Sequence, residues 1–517
     1  MTSHAVVSPH HLSADAGREI LLSGGNAVDA AIAVVAAQGV VAPETCGLGG
    51  DLFALVHAPG WDRPRVLNSS GRAGSGASAH SLRSAGYDSI PRDAREAVTI
   101  PGCVDGLETL SRDLGRLQLK DALAPAISLA STGFPVSAEQ SSAFTHRVDD
   151  YREHPAVSEF YPGGTPVQPG DRVTRSALSA TLEAVASGGR EAFYRGRPGE
   201  DIIEAVGGLI TTDDLERSQA EWVEPIGVRV GALTAWTTPP NSQGYLGPGT
   251  LAVFESLDHP DDPDDPLWWH LLIESYRCLA WERDDLVADP GHLALPADLF
   301  LDQARLERAA ASVDPQRAGI WPDSVGSITG TAYMCVADAE GLAVSIIQSN
   351  YNGTGSPHGA ARSGFLLQDR GLGFTLTSGH PNELAPGKRP LHTLSPTLWT
   401  DGDQPRWLLG TRGGAVQPQL IAQVGARAIL GGQDLETAQA ASRWIVSDFG
   451  PGSTSSPVFE PGLDPALIDD LRSRGHRITL EESRRPGWGP VSLIELDGDQ
   501  RRAAADPRVD TATALVF

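Results

Sequence analysis

Residues 331 to 349 read as a hairpin that starts at a Gly-Thr bond. Thr331 to Ala337 and Leu342 to Ser349 are two strand-like runs, joined by the turn Asp338-Ala339-Glu340-Gly341. The pattern sets Thr331 at the mouth of a strand, directly after Gly330. A chain cut between these two residues would begin with a hydroxyl and a free α-amine on the same residue. Such an amine titrates near pH ~7.7–8. It can therefore serve as base for the neighbouring hydroxyl, the threonine and N-terminal-amine form of nucleophilic catalysis, with no separate histidine. Thr329 has the same strand phase as Thr331, so alternation alone does not choose between them.

The rest of the chain gives this hairpin a large scaffold. Its 517 residues exceed what one hydrophobic core usually serves, which predicts a multilayer unit or two lobes. No stretch approaches the ~20 apolar residues of a membrane span, and Met1-Thr2-Ser3-His4 leads into folded-looking sequence with no signal-peptide pattern. A cytoplasmic location is the expectation. The net charge of −25 argues against nucleic acid and membrane as partners. Cys46, Cys103, Cys278 and Cys335 stand far apart and form no CxxC pair, so they read as buried small hydrophobes, with neither a metal site nor a disulfide framework. No cofactor is expected.

Element signals follow in order. Gly24-Gly25 closes a helical stretch, Asn26 with Asp29 has the side chains of a capping box, and Ala30 to Gln38 continues as a helix of small residues. Gly47-Leu48-Gly49-Gly50-Asp51 precedes a strand at Leu52 to His57; it lacks the third glycine and the following helix of a dinucleotide fingerprint. Residues 100 to 320 read as mostly helical, with apolar spacing at Val104, Leu107, Leu110 and Leu114, at Leu123, Ile127 and Ala130, at Leu178, Leu182 and Val185, and along His270 to Leu286. Trp236 to Gly244 reads as a rigid loop, and Asp261 to Pro266 as a solvated turn. Strands return at Pro396 to Trp399, Pro405 to Leu409, Val491 to Leu496 and Thr513 to Phe517, with a helix over Gln419 to Leu430. The sum is a layered α/β chain with a largely antiparallel pair of sheets. No G-x-S-x-G elbow and no P-loop is present, and His10-His11 reads as solvated surface.

Several segments together resemble the γ-glutamyltransferase family of N-terminal-nucleophile hydrolases. They are Gly24 to Ala31, Gly47-Leu48-Gly49-Gly50, Pro101 to Gly106, Gly208-Leu209-Ile210-Thr211, Pro239-Pro240-Asn241-Ser242, Gly330-Thr331, Gly387-Lys388-Arg389-Pro390-Leu391, Ser395-Pro396-Thr397 and Gly413-Gly414. The resemblance implies a four-layer αββα sandwich of the N-terminal-nucleophile hydrolase type. It also implies a precursor that cuts itself between Gly330 and Thr331. The products would be a large subunit, residues 1–330, and a small one, residues 331–517, which stay associated. The spacing to Gly341 and the Thr-Ala start favour Thr331 over Thr329, and Gly330 suits a bond whose backbone must strain.

Roles carry over by position. Arg72 stands where the family has its carboxylate-binding arginine, a side chain suited to a bidentate grip. Gly413 and Gly414 match the pair whose N–H groups form an oxyanion hole, and Ser349 matches a second hydroxyl that holds the Thr331 amine. Other positions depart. The family's acidic residue falls on Gly373 and its amide residue on Arg370, its serine pair becomes His392-Thr393, and its asparagine becomes Tyr351. An α-ammonium would lose its partner there, although Asp369 offers a substitute. Thr331, Ser349, Gly413 and Gly414 are therefore the expected catalytic residues, with Arg72, Tyr351, Arg370, His392 and Thr393 lining the substrate. The expectation is a self-processing threonine amidohydrolase acting on a small carboxylate-bearing amide, or on a related acyl C–C bond. The rivals are a true γ-glutamyl hydrolase or transpeptidase and an uncleaved binding protein.

Overall fold

The computed structural model describes residues 3–321, 324–325, 330–446, 448–449, 453–454 and 456–517; Thr329 lies outside them. The strands of its two large sheets are, in chain order, β1 (Ala5–Ser8), β2 (Asp51–His57), β3 (Arg65–Ser69), β4 (Glu221–Val223), β5 (Ile226–Val230) and β6 (Leu233–Thr237). Then follow β7 (Gly330–Ala337), β8 (Ala343–Tyr351), β9 (Thr397–Asp401), β10 (Gln404–Thr411), β11 (Val491–Asp497), β12 (Gln500–Ala504) and β13 (Thr513–Val516). One sheet has the order β13-β1-β7-β8-β2-β3-β4 and the other β12-β11-β10-β9-β6-β5. Neighbours within each are antiparallel.

Side-chain alternation shows how the sheets are layered, because successive residues of a strand face opposite sides. Ala332, Met334 and Val336 of β7 pack with Leu52, Ala54 and Val56 of β2 against the helices His11–Leu22, Ala27–Val41 and Cys103–Leu114. The alternate residues Tyr333, Cys335, Phe53 and Leu55 meet Leu398, Leu408 and Ile494 of the other sheet. Trp399, Trp407, Leu409 and Leu493 face the helices Leu246–Glu255, Pro266–Ala280 and Gln417–Gly425. The four layers are helix, sheet, sheet, helix: the αββα sandwich. Tyr333 locks the hairpin strand to the second sheet. Its ring lies where a Cβ on Gly410 would be, 2.4 Å away, and its hydroxyl is 2.8 Å from Ser345 Oγ.

The hairpin turn is also tied to the first helix layer. Asp338 Oδ1 accepts from Glu340 N and Leu342 N, and Oδ2 accepts from Ala27 N at 2.9 Å. The capping box of Asn26 and Asp29 forms, and the helix it starts runs Ala27–Val41, longer than its small-residue run and buried on every side. All four cysteines are free and buried.

Some local expectations fail. Residues 100 to 320 are mostly helical, but β4, β5 and β6 also fall there and were not expected: the start of the Trp236 loop belongs to β6, and exposed positions along these short strands hid their alternation. The helix expected over His270 to Leu286 is two, Pro266–Ala280 and Arg283–Leu286. The stretch Ser176–Tyr194 is two helices across a kink at Gly189, whose φ is +57°, so the helix carrying Leu178, Leu182 and Val185 does end at the Gly188-Gly189 pair. His10 is not solvated: its buried ring accepts from Leu12 N at 3.2 Å and caps the next helix.

Candidate active site

At the open end of the β7–β8 hairpin the register breaks. Gly330 pairs with Tyr351 but Ala332 with Gln348, so Thr331 sits at a bulge, a device that re-aims a side chain. Its Oγ1 lies 2.7 Å from the Gly330 carbonyl oxygen and 3.2 Å from Ser349 Oγ. Ser349 Oγ is in turn 2.8 Å from the same carbonyl oxygen and accepts from Tyr351 N at 2.8 Å. Thr331 has one hydroxyl proton. Given to Ser349, it leaves a lone pair free for the Gly330 carbonyl carbon, while the Ser349 proton polarises that carbonyl. Thr331 and Ser349 are both fully buried. Gly330 is demanded by close approach rather than by a left-handed backbone. A Cβ there would stand 2.5 Å from Gly353 Cα and 2.7 Å from Gly353 N.

The glycine pair follows β10. Gly413 and Gly414 have φ of +125° and +59°, which turns the chain between strand and helix, and Gly414 O accepts from Gln243 Nε2 at 3.0 Å. The same amide nitrogen reaches Thr393 O at 3.2 Å, and Arg283 Nη1 holds Gln243 Oε1 at 3.0 Å. Gln243 thus joins the glycine turn to the Thr393 loop. It stood in the sequence just beyond the Pro-Pro-Asn-Ser run; Arg283 carried no signal.

Tyr351, Arg370 and Thr393 form the next tier. The Arg370 guanidinium lies 4.1 Å from the Tyr351 ring centre, and its Nη1 donates to Thr393 Oγ1 at 3.1 Å. Burial lowers the Arg370 pKa to about 10, which leaves it charged at neutral pH. A cleft of about 510 Å³ opens in front, lined by Tyr351, Thr393, Leu372, Gly373, Leu391 and Ala415 among others. A Cβ on Gly373 would meet Leu391 O at 2.6 Å, so the position has no room for an acidic side chain.

Two expected substrate residues are engaged elsewhere. Arg72 gives Nη2 to Glu221 and Nη1 to Gln219 Oε1 at 3.2 Å, and Arg389 holds the other oxygen of Glu221 at 2.9 Å. His392 places Nε2 3.1 Å from Asp51 Oδ2, while its Nδ1 accepts from Leu394 N. Burial, with Arg370 nearby, lowers its pKa to about 3, so it is neutral. Asp51, opposite Ser349 on β2, also accepts from Gly71 N and Gln368 Nε2, each at 2.8 Å; sequence reading missed this hub. Asp369 accepts from Asn352 N and faces Arg92 at 3.7 Å. In the outer helix layer His270, Glu274 and His476 bring ligand atoms within 4.8 Å of one another. The two imidazoles already hydrogen-bond at 2.8 Å, and Glu274 pairs with Arg277.

A family model described as gamma-glutamyltranspeptidase matches residues 13–516. The chain belongs to the γ-glutamyltranspeptidase family. It is 34% identical over 519 residues to the glutathione hydrolase-like YwrD proenzyme of Bacillus subtilis, covering 99% of this chain and 98% of that protein. It is also 34% identical over 524 residues to the oxamate amidohydrolase proenzyme of Klebsiella pneumoniae, with the same coverage. The crystal structure of a cephalosporin acylase from Bacillus halodurans aligns at TM-score 0.92 and 30% identity, over 99% of this chain and 96% of that one. The γ-glutamyltranspeptidase-family protein is thus an enzyme, an amide hydrolase of the self-processing N-terminal-nucleophile class. The reading as a non-catalytic binding protein is set aside. Among the described residues no helix is long and apolar enough to cross a membrane.

Proposed function

We propose that the precursor cuts itself between Gly330 and Thr331 and that Thr331 is then the nucleophile. The observation that carries this reading is the triangle of Thr331 Oγ1, Ser349 Oγ and the Gly330 carbonyl, with edges of 2.7, 2.8 and 3.2 Å. In the first step Oγ1 adds to the Gly330 carbonyl carbon, and the peptide C–N bond breaks as its nitrogen takes a proton. The resulting ester is hydrolysed by water, which leaves a Gly330 carboxylate and a Thr331 amine. Residues 1–330 and 331–517 remain together through the shared sheet, since β1, β2 and β13 pair around the hairpin.

In turnover the amine accepts the Thr331 hydroxyl proton as Oγ1 attacks an amide carbon, then returns it to the leaving amine. Water, deprotonated by the same amine, releases the acyl group. The N–H groups of Gly413 and Gly414 face the developing oxyanion, and Ser349 holds the amine in place.

The substrate is a small amide bearing a carboxylate and no neighbouring ammonium. Gly373 leaves no acidic partner for an ammonium, Arg370 opposes one, and Asp369 already accepts from Asn352 N and lies 3.7 Å from Arg92. The name of the Klebsiella pneumoniae relative, an oxamate amidohydrolase, supports this class. The glutathione hydrolase-like name of the Bacillus subtilis relative favours γ-glutamyl hydrolysis as the second reading. Intact mass and N-terminal sequencing test the cut, with a new terminus at Thr331 expected. A panel of oxamate, glutaryl and γ-glutamyl amides tests the substrate, and fast release of glutamate from a γ-glutamyl anilide would overturn the preferred class.

A further inference from the structure

Arg370, stacked on the Tyr351 ring, makes no ion pair among the described residues. Arg370 is 0% exposed, and its Nε and Nη2 atoms have no hydrogen-bond partner among the described residues. Of the nearby carboxylates, Asp51 is held by His392, Gln368 and Gly71, while Asp369 accepts from Asn352 N through Oδ1 and has Arg92 3.7 Å from Oδ2; neither hydrogen-bonds Arg370. Thr393 holds only Nη1. The two unused nitrogens are the adjacent pair along one side of the guanidinium, the edge that grips a carboxylate with two parallel hydrogen bonds. A buried guanidinium left like this calls for an anion.

The anion has a route in. Tyr351 covers the guanidinium with its ring, is itself half-buried, and lines the 510 Å³ cleft together with Thr393. Tyr351 also has φ of +77°, the one non-glycine residue with positive φ among those described, and its N–H is held by Ser349 Oγ. Backbone strain of this kind is kept where the surroundings enforce it, and it gathers at ligand sites. Arg72, by contrast, has both terminal nitrogens filled by Glu221 and Gln219.

We propose that Arg370, rather than Arg72, receives the substrate's carboxylate through Nε and Nη2, and that the Tyr351 ring turns aside to admit it. The acyl donors are then monoamides of small dicarboxylic acids. The assignment rests on the proposed function for the reaction, but carboxylate binding does not depend on turnover.

The test is isothermal titration calorimetry of purified protein with oxalate, succinate and glutarate as probes. It uses the parent, Arg370→Gln, Arg370→Lys and Arg72→Gln, each checked for folding by thermal melting. The parent is expected to bind at least one probe. Arg370→Gln loses about tenfold or more in affinity, Arg370→Lys recovers part of it, and Arg72→Gln stays within about twofold. A folded Arg370→Gln that binds like the parent overturns the proposal, as does loss confined to Arg72→Gln or a parent that binds none of the probes. A denaturing gel run alongside reads self-cleavage, so a failed Thr331 mechanism is seen separately from a failed carboxylate receptor.

Discussion

Two arginines, Arg72 and Arg370, were both expected to line the substrate, and the structure treats them differently. Around Arg72 the polar groups close on one another. Glu221 bridges Arg72 and Arg389, Gln219 takes a second nitrogen of Arg72, and Arg389 also donates to the carbonyls of Ser70 and Gln219. Around Arg370 they do not close: Nε and Nη2 of Arg370 and Oδ2 of Asp369 have no hydrogen-bond partner among the described residues. A network that satisfies itself fixes loops. One that leaves a buried charge open at a cost of about 3–5 kcal/mol is completed by something else. Motif matching cannot make this distinction, because it sees the arginine and not its partners.

Thr331→Ala is expected to produce the largest effect and to disturb neither arginine. Self-cleavage and turnover should both vanish, leaving one band near 54.4 kDa on a denaturing gel, while thermal stability stays near that of the parent. Two bands, or normal activity, would sink the assignment of the nucleophile. Ser349→Ala comes next. It removes the hydroxyl 2.8 Å from the Gly330 carbonyl oxygen, and losing one donor to a developing oxyanion slows a step by about 10²–10³. A time course of precursor disappearance would show it, and an unchanged rate would remove Ser349 from the processing step.

The fold was largely legible in sequence, and the site only in its chemistry. The β7–β8 hairpin could be read because Asp338-Ala339-Glu340-Gly341 separates two apolar runs, and the capping box could be read because Asn26 and Asp29 stand three apart. Strands β5 and β6 were missed, as their mixed burial blurs a period of two. In the site, hydroxyls and glycines announced themselves, but hubs did not. Asp51 gathers Gly71, Gln368 and His392 from positions up to 341 residues away, and no local pattern encodes that. Likewise, Arg72 looked like the free cation only until Glu221, 149 residues on, was found against it.

Glu221→Gln sharpens the contrast between the two arginines. The substitution takes the charged partner from Arg72, and because the Glu221 side chain is 44% exposed the loss is about 1 kcal/mol rather than that of a fully buried pair. Chemical denaturation should show that loss while the affinity for a dicarboxylate stays unchanged. If stability holds and affinity falls instead, Arg72 is the binding arginine and the comparison is reversed.

The smallest effect is in acid. Burial works against the Glu221 carboxylate, but Arg389 and Arg72 outweigh it and hold its pKa below the ordinary value. A carboxylate depressed in the folded state takes up protons more readily when unfolded. Its stabilising contribution is therefore complete above the unfolded value of about 4.3 and is lost as pH falls through the folded one. The stability gap between the parent and Glu221→Gln should stay constant from pH 7 to pH 5 and narrow below about pH 4, by less than about 1 kcal/mol after solvent screening. Arg370 keeps its charge through that whole range, since its own pKa lies at about 10. Acid should thus loosen the Arg72 network while the receptor keeps its charge, and any weakening of dicarboxylate binding should follow protonation of the ligand alone. Binding that instead tracks the Glu221 transition would tie the two arginines into one network.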